Sequence, residues 1–133
     1  MIPHEYPVFI REFHLDTFGH VNNATYLSLF EEARWEIITQ NGFGLKEVQE
    51  RQIGPVVLEI QIKFLKELKL REQAKILTTI EEGFSKIGKM KQTLVNQKGE
   101  ISSEAVFTFG LMDLKQRKLI APTPEWLKAI GLS

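Results

Sequence analysis

A carboxylate a few residues ahead of a predicted helix is the arrangement in this sequence that is most suited to chemistry. Asp16 lies in a polar, glycine-containing stretch, and a helix is predicted from about Asn23 to Gln40. The first backbone N–H groups of a helix have no partner within it, and the helix dipole adds partial positive charge there. Such an end can stabilise a developing oxyanion, while a carboxylate on the preceding loop can attack a carbonyl or activate water. The pattern therefore predicts a candidate acyl-transfer site, although many loop aspartates before helices only cap the helix or stay solvated.

Other polar side chains near the helix start are candidates for the same site, and each has a structural alternative. His20 is of a type that titrates near neutral pH and is easily recruited, but a loop histidine is often held by hydrogen bonds instead. Asn22 or Asn23 can cap the helix. Tyr26 falls on the predicted buried side, where its backbone N–H is the useful group.

The elements that must position these residues follow from the spacing of apolar side chains. The predicted buried stripe of the long helix consists of Tyr26, Phe30, Ala33 and Ile37, widened by Leu29 and Ile38. The opposite side carries Glu31, Glu32, Arg34 and Glu36. For the first three, ion pairs at i,i+3 spacing or subunit contacts are the simplest explanation. A short second helix is predicted over residues 45–51, and Thr123 followed by Pro124 predicts a terminal helix.

Strands account for most of the remaining chain. They are predicted over residues 6–13, 58–64, 74–80 with an end at Gly83, 86–96 and 101–112. Short polar turns between the last three predict an antiparallel meander. One strand, a long helix and then three to four strands favour an α+β fold, and a length of 133 residues favours a single domain over residues 1–133.

Composition excludes several classes of function. Lys and Arg together number 17, as do Asp and Glu, so no net charge attracts nucleic acid or an anionic membrane. The absence of cysteine excludes disulfides, thiolate metal sites and a Cys nucleophile. His4, His14 and His20 form no spaced ligand set with carboxylates, so no metal site is expected. No signal peptide and no apolar run of about 20 residues is visible, which makes the cytoplasm the expected location.

The segment from Asp16 to Arg34 resembles the signature of the 4-hydroxybenzoyl-CoA thioesterase family. That signature is an Asp, then Gly-His-Val-Asn-Asn, which stands here at 19–23, then Tyr26 and the Glu-Glu-Ala-Arg run at 31–34. The likeness continues through residues 55–65, around Gly88 and over residues 99–113, and so covers nearly the whole chain.

The resemblance implies a hotdog fold, in which a curved antiparallel five-strand sheet wraps a long central helix. It implies hydrolysis of acyl-CoA thioesters, with Asp16 as nucleophile or general base. The residues it suggests beside Asp16 are His20, Asn23 and Tyr26 as further catalytic residues, and Val57, Leu58, Glu59, Lys86, Gly88 and Lys89 as substrate-binding residues. It implies no cofactor other than the coenzyme A of the substrate, and a homodimer or homotetramer with active sites at subunit contacts.

The sequence departs from the family pattern at two places, and alternatives for the function and for the catalytic base stay open. Many relatives carry His in place of Asn23, and because Asn cannot transfer protons, its role here would be hydrogen bonding. Relatives often show Asp-Tyr and then Arg-Pro in the second strand, where this chain has Lys63-Phe64 and Lys66-Glu67. An acyl-carrier-protein thioesterase and a non-catalytic acyl-CoA-binding hotdog protein are alternative functions. Glu31 or Glu32 is an alternative base, as in hotdog thioesterases that use a helix Glu.

Overall fold

The computed structural model describes residues 3–81 and 85–132, and its elements follow the predicted order. The strands are β1 (His4–Phe9), β2 (Ile53–Phe64), β3 (Gln73–Ile80), β4 (Ile87–Val95), β5 (Ile101–Asp113) and β6 (Lys118–Ile120). The helices are α1 (Asn23–Gln40), α2 (Leu45–Arg51) and α3 (Pro124–Ala129), and a 3₁₀ turn spans Glu12–His14. An antiparallel sheet with helices outside it agrees with the predicted α+β class.

All strand pairs are antiparallel, and the sheet has the order β1-β3-β4-β5-β2, with β6 beside β5. β3, β4 and β5 are consecutive neighbours, which confirms the predicted meander. The prediction of five strands was wrong, because the sheet has six strands among the described residues. β6 pairs with residues 111–113 of β5, just past Gly110, where the pairing of β5 with β4 ends.

The apolar face of α1 packs against this sheet. The side chains predicted to be buried are buried: Tyr26, Leu29, Phe30, Ala33, Ile37 and Ile38. The Phe30 ring meets the Phe107 ring of β5 edge to face, with the ring centroids 5.9 Å apart, a favourable aromatic geometry. Asn22 caps the helix by accepting the Ala24 N–H at 2.8 Å. The predicted bounds of α1 are therefore confirmed.

Two predicted strands have different ends in the structure. β1 stops at Phe9, not at Phe13, because the chain turns into the 3₁₀ segment, where the Arg11 N–H donates to His14 Nδ1 at 2.9 Å. Phe13 is consequently 77% exposed. β2 begins at Ile53, five residues before the predicted start at 58. The predicted strand end at Gly83 lies outside the described residues.

A buried amide connects α1 to the sheet. The Gln92 side chain of β4 is 0% exposed. Its NH₂ group donates to the Phe30 carbonyl at 3.0 Å and to Thr78 Oγ1 at 3.1 Å. Its carbonyl oxygen accepts from Arg34 Nη1 at 2.9 Å. Each polar group of Gln92 is therefore satisfied, as burial requires.

Arg34 points at the sheet and not along the surface of α1. Its guanidinium carbon lies 4.4 Å from the centroid of the Phe107 ring. Burial lowers the pKa of Arg34, and the nearby charge of Glu31 acts in the opposite direction. No salt bridge joins Arg34 to Glu31 or Glu32 within residues 3–81 and 85–132, so the ion-pair alternative was wrong, while the alternative of subunit contacts stays a prediction. Gln92 takes the place of a carboxylate partner.

We expect Gln92→Leu to lower the free energy of unfolding by about 2–4 kcal/mol, because it leaves the Phe30 carbonyl and the Arg34 cation without their buried partner. Urea unfolding of the purified variant measures this. Gln49→Leu on the exposed side of α2 is the matched control and should change stability by less than about 0.5 kcal/mol. Equal effects of the two substitutions would show that the buried amide does not stabilise the fold.

His14 makes stability depend on pH near the start of α1. The residue is 9% exposed, and its backbone carbonyl accepts the Asn22 N–H at 3.0 Å. Burial, the largest cause, lowers the pKa of His14 below its usual value of 6.5, while Glu32 opposes this shift and Arg11 adds to it. The unfolded chain therefore takes up this proton more readily than the folded protein. The stability that neutral His14 contributes is present above pH 6.5 and is lost as the pH falls below that value.

We therefore expect the unfolding free energy of the wild type to fall more steeply between about pH 7 and pH 5 than that of His14→Gln. Glutamine keeps an acceptor for the Arg11 N–H and does not titrate. Denaturant unfolding at a series of pH values, with both proteins in the same buffers, measures the difference. If the unfolding free energies of the two proteins fall with pH at the same slope, His14 is excluded as the source of this dependence.

Candidate functional site

A cleft of about 290 Å³ at the start of α1 brings the predicted catalytic residues together. It is lined by Asp16, His20, Val21, Asn23, Tyr26, Phe64, Leu65, Lys66 and Glu67. The loop before α1, the first turn of α1 and the end of β2 with the residues after it thus form its walls. The proximity of the four predicted catalytic residues is a structural fact, whereas their catalytic roles stay predictions.

Residues 15–21 form a closed loop that presents Asp16. Leu15 and Val21 pair as an isolated antiparallel bridge, and the Asp16 N–H donates to the His20 carbonyl at 3.0 Å. Gly19 has a φ of +85°, in the left-handed region that favours glycine. Asp16 Oδ1 accepts the Phe18 N–H at 2.8 Å, a turn that aspartate side chains commonly close. One oxygen of the carboxylate is therefore held by the loop itself.

The other oxygen of Asp16 faces the imidazole of His20. Asp16 Oδ2 lies 3.8 Å from His20 Nδ1, and the two side chains are 21% and 40% exposed. Both are thus accessible from the cleft. A carboxylate that is oriented on one side and accessible on the other can act as a base toward water or as a nucleophile toward a carbonyl. The geometry is suited to both roles.

The first turn of α1 contributes hydrogen-bond donors to the cleft. One backbone N–H, that of Ala24, is already occupied by the Asn22 cap at 2.8 Å. The Asn23 side chain is exposed, and its Oδ1 lies 3.0 Å from the same Ala24 nitrogen. The Asn23 NH₂ group donates no hydrogen bond within the part of the chain that the structure describes. That group can donate to the carbonyl oxygen of a ligand in the cleft.

Tyr26 forms the apolar floor of the cleft. It is 4% exposed, its hydroxyl lies 3.4 Å from Ser102 Oγ, and its ring contacts Phe64 edge to face at 5.1 Å between centroids. Burial, the largest cause, raises the pKa of Tyr26; Glu67 and Glu72 add to this, and the hydrogen bond with Ser102 opposes it. The phenol therefore stays protonated, and the predicted packing role of Tyr26 is confirmed.

A second, apolar cavity of about 350 Å³ lies along the later part of α1. It is lined by Glu31, Arg34, Trp35, Ile37, Ile38, Pro55, Val56, Val57, Ile80, Met90, Phe109, Trp126 and Ile130. Val57, a predicted substrate-binding residue, is therefore in this cavity and not in the cleft with Asp16. Gly88, another of the predicted set, lies opposite Val57 across Phe109, since both pair with that residue. Glu31, the alternative base, also lines this cavity.

The other predicted substrate-binding residues lie on the exposed part of the sheet. Glu59 and Lys89 both pair with Thr108 and so share one sheet face. Leu58 falls at a register shift of β2, and Lys86 is exposed just before β4. These positions do not share a cleft with Asp16 within one chain.

No pattern in the sequence predicted that residues 64–67 close the cleft. The Val21 N–H donates to the Leu68 carbonyl at 3.3 Å, which attaches the end of this segment to the loop of Asp16. Such a contact between distant parts of the chain has no signal in local spacing. In the sequence, Lys66-Glu67 is visible only as a departure from the family pattern.

Two further findings concern metals and membranes. Among residues 3–81 and 85–132, no group of three or more His, Cys, Asp or Glu side chains could hold a metal ion. In the same residues, no helix has the length and apolar character needed to cross a bilayer.

Known proteins similar to this chain include several thioesterases. A family model described as the thioesterase-like superfamily matches residues 12–130. The long-chain acyl-CoA thioesterase FadM of Escherichia coli is 32% identical over 113 residues, which are 84% of this chain and 85% of that protein. The probable thioesterase YbaW of Escherichia coli superposes with a TM-score of 0.83 at 28% identity, covering 96% of each chain. A Staphylococcus aureus protein solved in complex with CoA shares the fold, with a TM-score of 0.89 at 20% identity over 98% of this chain and 84% of that chain.

The matched superfamily is broader than the 4-hydroxybenzoyl-CoA thioesterase family that the sequence resembles. The match includes the loop of Asp16, α1 and all strands from β2 to β6. The chain therefore belongs to the thioesterase-like superfamily, whose members have the hotdog fold, and it is an enzyme of the thioester hydrolase class.

Proposed function

We propose that this protein hydrolyses acyl-CoA thioesters to the free acid and coenzyme A, with Asp16 as nucleophile or general base. The observation that carries the proposal is the position of Asp16 in the cleft, with one oxygen held by the Phe18 N–H and the other open beside His20. The similarity to FadM, a long-chain acyl-CoA thioesterase, supports the substrate class. Membership of the narrower 4-hydroxybenzoyl-CoA thioesterase family, a sheet curved around α1 and a cytoplasmic location are parts of the same proposal.

The chain offers a group for each requirement of the reaction. Asp16 either removes a proton from the water that attacks the thioester carbonyl, or attacks that carbonyl itself. In the second case coenzyme A leaves and water then hydrolyses the acyl–Asp16 anhydride to the free acid and the Asp16 carboxylate. The Asn23 NH₂ group is a donor for the negative charge that develops on the carbonyl oxygen, and the dipole of α1 adds partial positive charge at the same end of the helix. Coenzyme A leaves as a thiolate, a good leaving group that needs no strong acid. No metal or prosthetic group is part of this proposal.

We expect Asp16→Asn to lower kcat at least about 100-fold, because asparagine can neither accept the proton nor attack the carbonyl. Release of free thiol from an acyl-CoA that the wild type hydrolyses measures the loss. The fold should survive, since the Asn side-chain oxygen can still accept the Phe18 N–H. A variant that keeps more than a tenth of wild-type kcat would remove Asp16 from the mechanism.

The chain offers a matched control and a test of the alternative base. Asp113, the other aspartate of the chain, also accepts backbone N–H groups in a turn, from Lys115 at 2.9 Å and Gln116 at 3.0 Å. Asp113→Asn should therefore leave kcat unchanged.

Glu31→Gln should lower kcat less than about tenfold, because Glu31 lies in the other cavity; a larger loss than that of Asp16→Asn would make Glu31 the base. Comparing an acyl-CoA with the same acyl group on acyl carrier protein distinguishes the two substrate classes.

We propose further that the protein works as a homodimer, or as a tetramer built from such dimers, joined through β2. β2 is an edge strand over 12 residues. Apolar side chains on and just after it are between 38% and 53% exposed: Val57, Leu58, Ile60, Phe64 and Leu65. A long, apolar and unpaired edge is a template for another strand, and a second copy offers the same edge.

Pairing of two β2 strands would also complete the active site. In an antiparallel pair around a twofold axis, the Phe64 end of one strand meets the Ile53 end of the other. The Asp16 cleft, at the Phe64 end, would then face the apolar cavity of the second copy, at the Pro55–Val57 end. This arrangement would supply an apolar pocket for the acyl group and would explain why Val57 and Asp16 are apart within one chain.

We expect light scattering at micromolar concentration to give a mass of at least twice 15.3 kDa for the wild type. Ile60→Lys should shift the mass towards the monomer and lower thioesterase activity, because it places like charges at the proposed contact. Leu70→Lys is the matched control, since Leu70 is 43% exposed and Ile60 42% exposed. Leu70 precedes Arg71, whose N–H donates to the Ile10 carbonyl just after β1, the strand at the opposite edge of the sheet. A stable wild-type monomer with full activity would contradict the proposal.

A further inference from the structure

His20 lies between two carboxylates, of which the proposed mechanism uses only one. His20 Nδ1 is 3.8 Å from Asp16 Oδ2, and His20 Nε2 is 3.9 Å from Glu67 Oε2. All three side chains line the same cleft. Both ring nitrogens therefore face an acid at ion-pair distance. The doubly protonated ring can offer an N–H to each acid, whereas either neutral tautomer can offer only one.

Little else holds the ring of His20. Its remaining ring contact is with Phe18, stacked at 6.2 Å between centroids. Phe18 is itself 82% exposed and lies on the same loop, so it gives the imidazole no fixed support. The orientation of the ring therefore depends on the two carboxylates.

The backbone on both sides of Glu67 is fixed by the rest of the protein. The Lys66 N–H donates to the Ser102 carbonyl at 3.1 Å, and Ser102 Oγ donates to the Lys66 carbonyl. Leu68 is 0% exposed, and its carbonyl accepts the Val21 N–H at 3.3 Å. Glu67 thus extends from an anchored segment, although its own side chain is 53% exposed.

The charge of Glu67 is available to His20. Lys66, the neighbouring cation on the cleft wall, forms an ion pair with Glu100. The other titratable groups that line the cleft are Asp16 and the protonated phenol of Tyr26.

We infer that Glu67 is a positioning residue that holds the His20 imidazole against Asp16 and so keeps the Asp16 carboxylate oriented for catalysis. The inference rests on the proposed thioesterase function. The Phe18 N–H fixes Oδ1 of Asp16, and the His20 ring stands at ion-pair distance, 3.8 Å, from Oδ2. Glu67 holds the far side of that ring. Without Glu67, the half-exposed ring can turn into solvent, and the carboxylate is then oriented on one side only.

The kinetic test is a double-mutant cycle on hydrolysis of one acyl-CoA. Glu67→Gln should lower kcat about three- to tenfold with little change in KM, a factor that matches one charge pair at about 4 Å in water. Glu67→Asp keeps the charge and should retain more of kcat than Glu67→Gln. In a protein that already carries His20→Ala, adding Glu67→Gln should lower kcat no further, because Glu67 acts through His20. Glu50→Gln on the exposed side of α2 is the control and should equal the wild type.

Two kinetic results would overturn the inference. One is a Glu67→Gln effect that multiplies with that of His20→Ala, which would mean that the two residues act independently. The other is a change in KM alone, which would make Glu67 a substrate-binding residue.

A spectroscopic test separates this inference from the proposed function, because it needs no turnover. Long-range ¹H–¹⁵N spectra of histidine-labelled full-length protein report the protonation of each ring nitrogen. At one fixed pH, Glu67→Gln should shift the His20 ring-nitrogen signals, because the carboxylate charge beside Nε2 is lost, while Glu50→Gln leaves them unchanged. Unchanged His20 signals in Glu67→Gln would overturn the inference even if the enzyme is an active thioesterase. A shift in a protein that hydrolyses no acyl-CoA would support the contact and refute the proposed function.

Discussion

The docking of α1 on the sheet is the interaction on which the rest of the structure depends. Phe30 against Phe107 supplies apolar contact, and Gln92 connects the backbone of α1 to β3 and β4 through its amide. Arg34 joins the same network from the helix side. Because packing on the sheet fixes α1, the first turn of α1 is fixed as well. The loop of Asp16 closes against that start and against Leu68, so the position of the carboxylate follows from packing well away from it.

Asp16 shows how one side chain can serve both local structure and chemistry. Its Oδ1 closes the loop by accepting the Phe18 N–H, which is the ordinary role of an aspartate at such a position. Oδ2 is left beside His20 in a cleft with apolar walls from Tyr26 and Phe64. Because the loop fixes the first oxygen and His20 stands beside the second, the carboxylate needs little reorganisation when substrate arrives. Preorganised polar groups of this kind account for much of enzymatic rate enhancement.

Sequence alone predicts the half of the site that is local in the chain. Asp16, His20, Asn23 and Tyr26 lie within eleven positions of one loop and one helix start, so spacing and capping rules suffice to place them. Glu67 reaches the cleft only through the end of β2 and a hydrogen bond between Val21 and Leu68, which no local pattern encodes. Likewise the alternation in β2 predicts a strand but not its edge position, where Leu58 and Ile60 stay exposed. β1 ends early because the Arg11 N–H bonds to the His14 side chain, which local spacing does not reveal. β6 has only three residues, and so short a run shows no periodic pattern.

The central claim is that the cleft at the start of α1 cleaves acyl-CoA thioesters, and the most direct measurement is release of free coenzyme A from a panel of substrates. The panel would run from acetyl to palmitoyl and include aromatic acyl groups, with the thiol detected continuously. The account predicts saturable release, dependent on enzyme concentration, from at least one member of the panel. Release no faster than in buffer for every member, by protein shown to be folded, would contradict it.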